Sequence, residues 1–128
     1  MPSPGLIDGK LADCPSSPNC VCSDASDAGH RIDAFLLAAS PQAAWGAVRD
    51  VVVVMPRVQV VASTDTYLHA ECRTWLMGFV DDLELHLRPD EGILAVRSAS
   101  RTGYSDLGVN RRRIEDLRSA LRARGVVK

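Results

Sequence analysis

Between Tyr67 and Leu87, apolar and polar residues alternate through two successive stretches, Tyr67–Leu76 and Phe79–Leu87. This period of two marks half-buried strands, and Met77-Gly78 between them predicts a tight hairpin. Val58-Gln59-Val60-Val61 and Ile93–Ser100 add a strand on either side, set off by turns at Ser63-Thr64-Asp65 and Arg88-Pro89-Asp90-Glu91-Gly92. His30–Ala38, with Phe35 and Leu37 among Ile32, Ala34 and Leu36, predicts a buried first strand. Two stretches follow helical spacing instead. Ser40-Pro41 offers a hydroxyl N-cap and a proline at the first helical position, followed by Trp45, Val48 and Val52; Pro56 stops that helix near residue 54. A last helix runs from about Asp106 or Asn110 to Arg124, with Ile114, Leu117 and Leu121 on one face and Gly125 beyond its end.

The order is β-α-β-β-β-β-α. Strands joined by hairpins are antiparallel, and two amphipathic helices need one sheet face to cover. The expectation is a two-layer α+β sandwich: an antiparallel sheet of about five strands with both helices packed on one face. Residues 1–29, rich in Pro, Ser, Asp and Gly, read as an irregular Cys-containing N-terminal arm packed on the body. Residues 30–128 read as a single domain, and a chain of 128 residues fits one core.

Strand pairing carries the chemical expectations. A two-residue turn at Met77-Gly78 pairs Thr74 with Asp81, Cys72 with Leu83, Ala70 with Leu85 and Leu68 with Leu87, which makes that face apolar. The opposite face then pairs Arg73 with Asp82, Glu71 with Glu84 and His69 with His86. Opposed carboxylates repel. His69, Glu71, Glu84 and His86 could therefore chelate a divalent cation through nitrogen and oxygen, or sit on a solvated face screened by water and Arg73. Asp81 points into the core layer, which a carboxylate tolerates only when paired. A symmetric second hairpin puts Ala99 opposite Asp81, with Arg97 and Arg101 diagonal to it.

Residues 97–111 then lead into the last helix. Free N–H groups at a helix start favour an anion, and Arg97, Ser98, Ser100, Arg101, Ser105, Asn110 and Arg111 could line its site. The competing arrangement is structural, with Asp106 or Asn110 capping the helix and the arginines tied to Asp81 and Asp82. Gly103-Tyr104-Ser105-Asp106-Leu107 lacks the second glycine of a nucleophile elbow, and no histidine follows it. The apolar tip of Trp75, Leu76, Met77 and Phe79 either touches a membrane or a protein partner or, more simply, is covered by the arm or first helix.

Apolar residues make up 46% and charged residues 24%, as in folded globular domains. The net charge of −1 points to neither nucleic acid nor a membrane, but its distribution is polar. Residues 97–128 carry nine Arg/Lys against three acids (+6), and residues 1–96 carry six against thirteen (−7). The halves are expected to attract each other. The arginines at 111, 112 and 113 suggest phosphate contacts, but Arg111–Glu115 and Arg112–Asp116 have helical pair spacing and no stacking aromatics accompany them, so nucleic acid is not expected. No apolar run approaches the ~20 residues needed to cross a bilayer. As written, with no secretory signal at its start, the chain reads as cytoplasmic; behind a trimmed leader it would be periplasmic or membrane-associated.

Cys14 and Cys20 bracket a turn-rich stretch that could close a small disulfide loop in an oxidising compartment. Cys22 is left over, and Cys72 reads as a small core residue. Cys14-Pro15, Ser17-Pro18-Asn19-Cys20-Val21, Phe79-Val80-Asp81-Asp82-Leu83-Glu84, and Arg97-Ser98-Ala99-Ser100-Arg101 through Asn110-Arg111 resemble the domain of unknown function 1499 family, from about Leu11 to Leu121. The resemblance implies that Cys14, Cys20, Asp81, Asp82, Arg97, Ser98, Arg101, Asp106, Gly108 and Asn110 are shared motif positions. It implies occurrence in bacteria and plastids, often behind a leader or membrane segment, and a small hydroxyl where this chain has Cys22. It transfers no activity and no cofactor.

The leading expectation is a non-enzymatic binding module for a small anion or lipid headgroup, held around Arg97, Arg101 and the start of the last helix, with the Trp75–Phe79 tip supplying apolar contact. Helix-grip ligand binders are similar in element order alone. The alternatives are a metalloprotein or enzyme using His69, Glu71, Glu84 and His86, and an interaction or assembly module working through the tip.

Overall fold

The computed structural model describes residues 4–75, 78–103 and 105–128. The elements are β1 (Leu6–Ile7), β2 (Lys10–Leu11), β3 (Cys20–Cys22), β4 (Phe35–Leu36), α1 (Pro41–Val53), β5 (Val58–Ser63), β6 (Tyr67–Arg73), β7 (Val80–Arg88), β8 (Ile93–Ser100) and α2 (Val109–Ala123). From β4 onward the order is the expected β-α-β-β-β-β-α, and the fold is α+β. The main sheet is antiparallel, with strand order β3-β8-β7-β6-β5. The expected strand over His30–Ala38 narrows to β4, which shares the outer edge of β8 with β3.

The helices form where the pattern places them. Ser40 caps α1 by accepting from the Ala43 N–H at 3.2 Å, with Pro41 opening the helix. Gly125 ends α2 at φ 73°, a left-handed conformation that costs a glycine little. Trp45, Val48 and Val52 of α1 and Ile114, Leu117 and Leu121 of α2 pack with Leu68, Ala70, Leu83, Leu85, Leu94 and Val96 in one core.

The arm does more than rest on the body. Through β3 it supplies the sixth strand, and Leu11, Cys22 and Ala25 pack on Ala95 across the face away from the helices. The sheet is thus covered on both sides near β7 and β8. Asp82 and Glu84 are consequently buried, not on the solvated face expected for them.

Both hairpins differ from the expected registers, with different consequences. Across the first, Cys72 faces Asp81, Ala70 faces Leu83, Glu71 faces Asp82, His69 faces Glu84 and Tyr67 faces His86. The connection is longer than two residues. Thr74 donates its N–H to the Phe79 carbonyl at 2.8 Å and accepts the Phe79 N–H on Oγ1 at 2.9 Å, so the loop spans 75–78. Leu76 and Met77 themselves lie outside the described residues. This two-residue shift keeps every side chain on its expected face but replaces each partner.

The second hairpin shifts by one residue. Pro89–Glu91 forms a short 3-10 turn and Gly92, at φ 68°, adds a fourth loop position. Asp81 therefore faces Ser100, Asp82 faces Ala99 and Glu84 faces Arg97. An odd shift moves Arg97 and Arg101 off the Asp81 face altogether.

Candidate functional site

Alternation along β8 divides the arginine-rich segment between two buried polar networks, one on each side of the sheet. On the arm side, Arg97 and Glu84 are buried together, with Arg97 Nη1 at 3.2 Å from Glu84 Oε1. Arg97 also donates through Nε to the Ala12 carbonyl at 2.8 Å and through Nη2 to the Asp13 carbonyl at 3.2 Å. Glu84 Oε2 accepts the Tyr67 hydroxyl at 2.6 Å and the Gly5 N–H at 2.9 Å. Burial, followed by the bond to Glu84, pushes the Tyr67 phenol well above its ordinary range. Beside this pair, Asp82 accepts from Arg101 Nε and Nη2, each at 2.8 Å, and lies 2.7 Å from His69 Nε2. Burial raises the Asp82 carboxyl, but these bonds outweigh it and leave the group far below the usual carboxylate range. Arg101 reaches Glu71 as well, at 2.7 Å.

On the helix side, Asn110 is fully buried. Its Oδ1 accepts Ser98 Oγ at 2.7 Å and Arg113 Nη1 at 2.8 Å; its Nδ2 faces Ser100 Oγ, Asp106 Oδ2 and the Asn19 carbonyl. Asn19 in turn donates to the Gly103 carbonyl at 2.8 Å. The two asparagines thus stitch the Cys14–Cys20 turn to the loop entering α2. Cys14 and Cys20 form a disulfide with Cα atoms 5.7 Å apart.

Asp81 is buried and neutralised by a guanidinium, but the cation is Arg113, whose Nη2 lies 2.8 Å from Oδ2, not Arg97 or Arg101. The Arg113 N–H groups miss the carboxylate line, so Oδ2 has no hydrogen bond among the described residues. Sequence spacing offered Arg113 no link to Asp81, because a helix crosses over the sheet to bring them together.

The start of α2 is occupied. Asp106 accepts the Gly108 N–H on Oδ1 at 2.8 Å and the Asn110 N–H on Oδ2 at 3.1 Å, so a side-chain carboxylate already holds the place an external anion would take. Burial raises this carboxyl, and the Asn110 and Gly108 bonds bring it below its ordinary range. Ser100 and Ser105 line a cavity of about 260 Å³ here, together with Asp81 and Asp106. Arg111 points elsewhere, donating to the Arg31 carbonyl at 3.2 Å. The seven residues expected to line one anion site are therefore dispersed: Ser98, Ser100 and Asn110 meet, Ser105 shares a cavity with Ser100, Arg97 and Arg101 lie across the sheet, and Arg111 stands apart.

The metal candidates are similarly committed. Glu84 holds Arg97, Glu71 holds Arg101, His69 contacts Asp82, and His86 Nδ1 accepts from Arg88 Nε at 3.0 Å. Among the described residues, no group of three or more His, Cys, Asp or Glu is placed to hold a metal ion.

Guanidinium groups without such partners gather at another place. A cleft of about 390 Å³ opens between the end of α1, the first turns of α2 and the start of the β5–β6 hairpin. Val51, Met55, Val58, Cys72 and Leu117 give it an apolar lining, and Arg57, Arg73, Arg112 and Arg113 stand with a single acid, Asp116. Among the described residues, no carboxylate lies within ion-pair distance of Arg57, Arg73 or Arg112; Arg112 makes one 3.3 Å bond, to the Leu107 carbonyl. The pairs expected from helical spacing, Arg111 with Glu115 and Arg112 with Asp116, are replaced by Arg118 with Glu115 at 2.8 Å. Burial pushes the Cys72 thiol up to about 11, so it lines the cleft as a neutral, apolar group. Sequence reasoning missed this site because its arginines come from three elements with no common spacing.

At the hairpin end, Trp75 is 77% and Phe79 49% exposed, so neither the arm nor α1 covers them. No helix among the described residues is long and apolar enough to cross a membrane. No curated protein and no solved structure matches the chain. The family described as Protein of unknown function (DUF1499) matches residues 10–121, nearly the whole fold, and the chain belongs to that family.

Proposed function

We propose that this domain is a binding module for a small anion or lipid headgroup, seated in the cleft between α1, α2 and the β5–β6 hairpin. The observation that carries this reading is the imbalance in that cleft: four arginines and one aspartate around an apolar lining. Three of the four have no ion-pair partner among the described residues. Arginine matches phosphate and carboxylate with paired N–H donors, and the apolar lining suits the carbon next to such a headgroup. Arg57 adds weight, because it holds φ 59°, a left-handed conformation unusual for a long side chain and one that clusters at functional positions. Arg97, buried with its donors on protein oxygens, and Arg101, held through Nε and Nη2 by Asp82 and Glu71, serve as scaffold for this module.

Three soluble probes test the reading by calorimetry: inorganic phosphate, glycerol 3-phosphate and dihexanoyl phosphatidylglycerol. Binding of the lipid with weak binding of phosphate supports a headgroup site, and equal binding of all three supports a small-anion site. In either case Arg112→Glu together with Arg73→Ala should weaken binding at least tenfold, since each charge-assisted bond contributes about 1.5–3 kcal/mol. No binding of any probe, or binding unchanged in the double variant, refutes it.

A further inference from the structure

We infer that the same end of the molecule docks on an anionic bilayer, with Trp75, Phe79 and Leu107 entering the headgroup layer while the arginine cleft meets a lipid phosphate. This deepens the proposed function and rests on it. Trp75 and Leu107 are 77% and 87% exposed. Trp75 lies in the loop between β6 and β7 and Leu107 in the loop before α2, both at this end of the sheet.

The apolar and cationic groups are contiguous. Phe79, Leu107 and Val109 line the 260 Å³ cavity, Val109 also lines the arginine cleft, and Arg112 bonds the Leu107 carbonyl. Arg73 ends β6 next to Thr74, which fixes the base of the loop carrying Trp75. An exposed apolar patch rimmed by polar and charged residues marks an interaction surface, and in the cleft beside it arginines outnumber acids four to one. Tryptophan favours the bilayer interface, and arginines there are drawn to acidic lipids.

Backbone conformation supplies an independent observation. Leu107 holds φ 54°, where a branched side chain is strained, yet its side chain lies in water. Ser105 Oγ, which accepts the Leu107 N–H at 3.3 Å, and Arg112, which donates to its carbonyl at 3.3 Å, hold this backbone so that the leucine side chain faces outward. Arg57, at φ 59°, lines the adjoining cleft, so two of the three non-glycine residues with positive φ among those described lie at this end.

The charge argument selects a membrane over a second copy of the chain, because two copies meeting here would bring like-charged guanidinium groups together. Acidic vesicles provide the complement without that repulsion. Co-sedimentation with vesicles of phosphatidylcholine and phosphatidylglycerol in equal parts, against phosphatidylcholine alone, tests the inference on the whole chain. The protein should bind the acidic vesicles only. Trp45→Phe, checked for fold by circular dichroism, leaves Trp75 as the remaining tryptophan, whose emission should shift to the blue and be quenched by brominated lipid. Trp75→Ser with Leu107→Ser should abolish vesicle binding yet leave dihexanoyl phosphatidylglycerol binding unchanged, whereas Arg112→Glu should lose both. Each arginine removed should lower vesicle affinity about fivefold. Binding of the soluble lipid without vesicle binding overturns the docking and leaves the cleft reading intact. Vesicle binding that survives Trp75→Ser with Leu107→Ser also overturns it, as does self-association lost in Leu107→Ser.

Discussion

Glu84 and Arg97 illustrate how a charge is made tolerable inside this protein. Each has its remaining donors or acceptors met by the arm's backbone or by Tyr67, so the pair does not leave a bare ion in the interior. Removing one member does. Arg97→Met should destabilise the fold by about 3–5 kcal/mol in urea denaturation, whereas a loss under 1 kcal/mol would mean that Glu84 finds another partner. Asp24, which accepts from Arg88 through both carboxylate oxygens and from the Leu11 N–H, sets the acid limit together with Asp82 and Asp106. Each is held below its ordinary range in the fold by its hydrogen bonds, against the upward pull of burial. A depressed folded value contributes stability that is present above the unfolded value of about 3.9 and lost as pH falls towards the folded one. Stability should therefore hold from pH 7 to about 5 and fall below 4, with a shallower acid slope in Asp82→Asn; an unchanged slope would contradict the assignment. Burial of Asp81 was legible from alternation along β7 alone. Its partner was not, because Arg113 comes from a helix whose approach to the sheet no local pattern encodes.

At the scale of elements, turn length decided what the sequence could reveal. The loop at 75–78 moved the β6–β7 register by an even number, so the core face of both strands was read correctly and only the cross-strand partners changed. Gly92 lengthened the next turn by one, and that single residue carried Arg97 and Arg101 to the other side of the sheet. A one-residue slip is invisible in β8, where residues on both faces are buried and alternation fades. Capping was readable in α1, from Ser40 and Pro41, because it depends on neighbours only. The arm was read as irregular since β3 is three residues long and draws its stability from pairing with β8. Its closure by Cys14–Cys20 should contribute about 2 kcal/mol through the short loop it restrains. Cys14→Ser with Cys20→Ser should lose that amount, with amide protection falling first at Cys20–Cys22. Equal loss across the whole sheet would show that the arm and sheet open as one unit.

The whole molecule resolves the charge asymmetry of its sequence. Acids of β7 take up arginines from the last third of the chain: Asp81 with Arg113, Asp82 with Arg101, and Glu84 with Arg97. The expected attraction between the two halves is thus realised inside the fold. Among the described arginines without an ion-pair partner, Arg57, Arg73 and Arg112 stand together at one end, where they adjoin exposed Trp75, Phe79 and Leu107. The account therefore separates two groups of arginines, one that builds the domain and one that meets its ligand. Amide chemical-shift mapping during titration with dihexanoyl phosphatidylglycerol tests that separation most directly. The predicted result is perturbation concentrated at Arg57, Arg73, Val109 and Arg112, with Arg97, Ser98 and Arg101 still. Perturbation centred on Arg97, Arg101 and Asn110, or none anywhere, would contradict it.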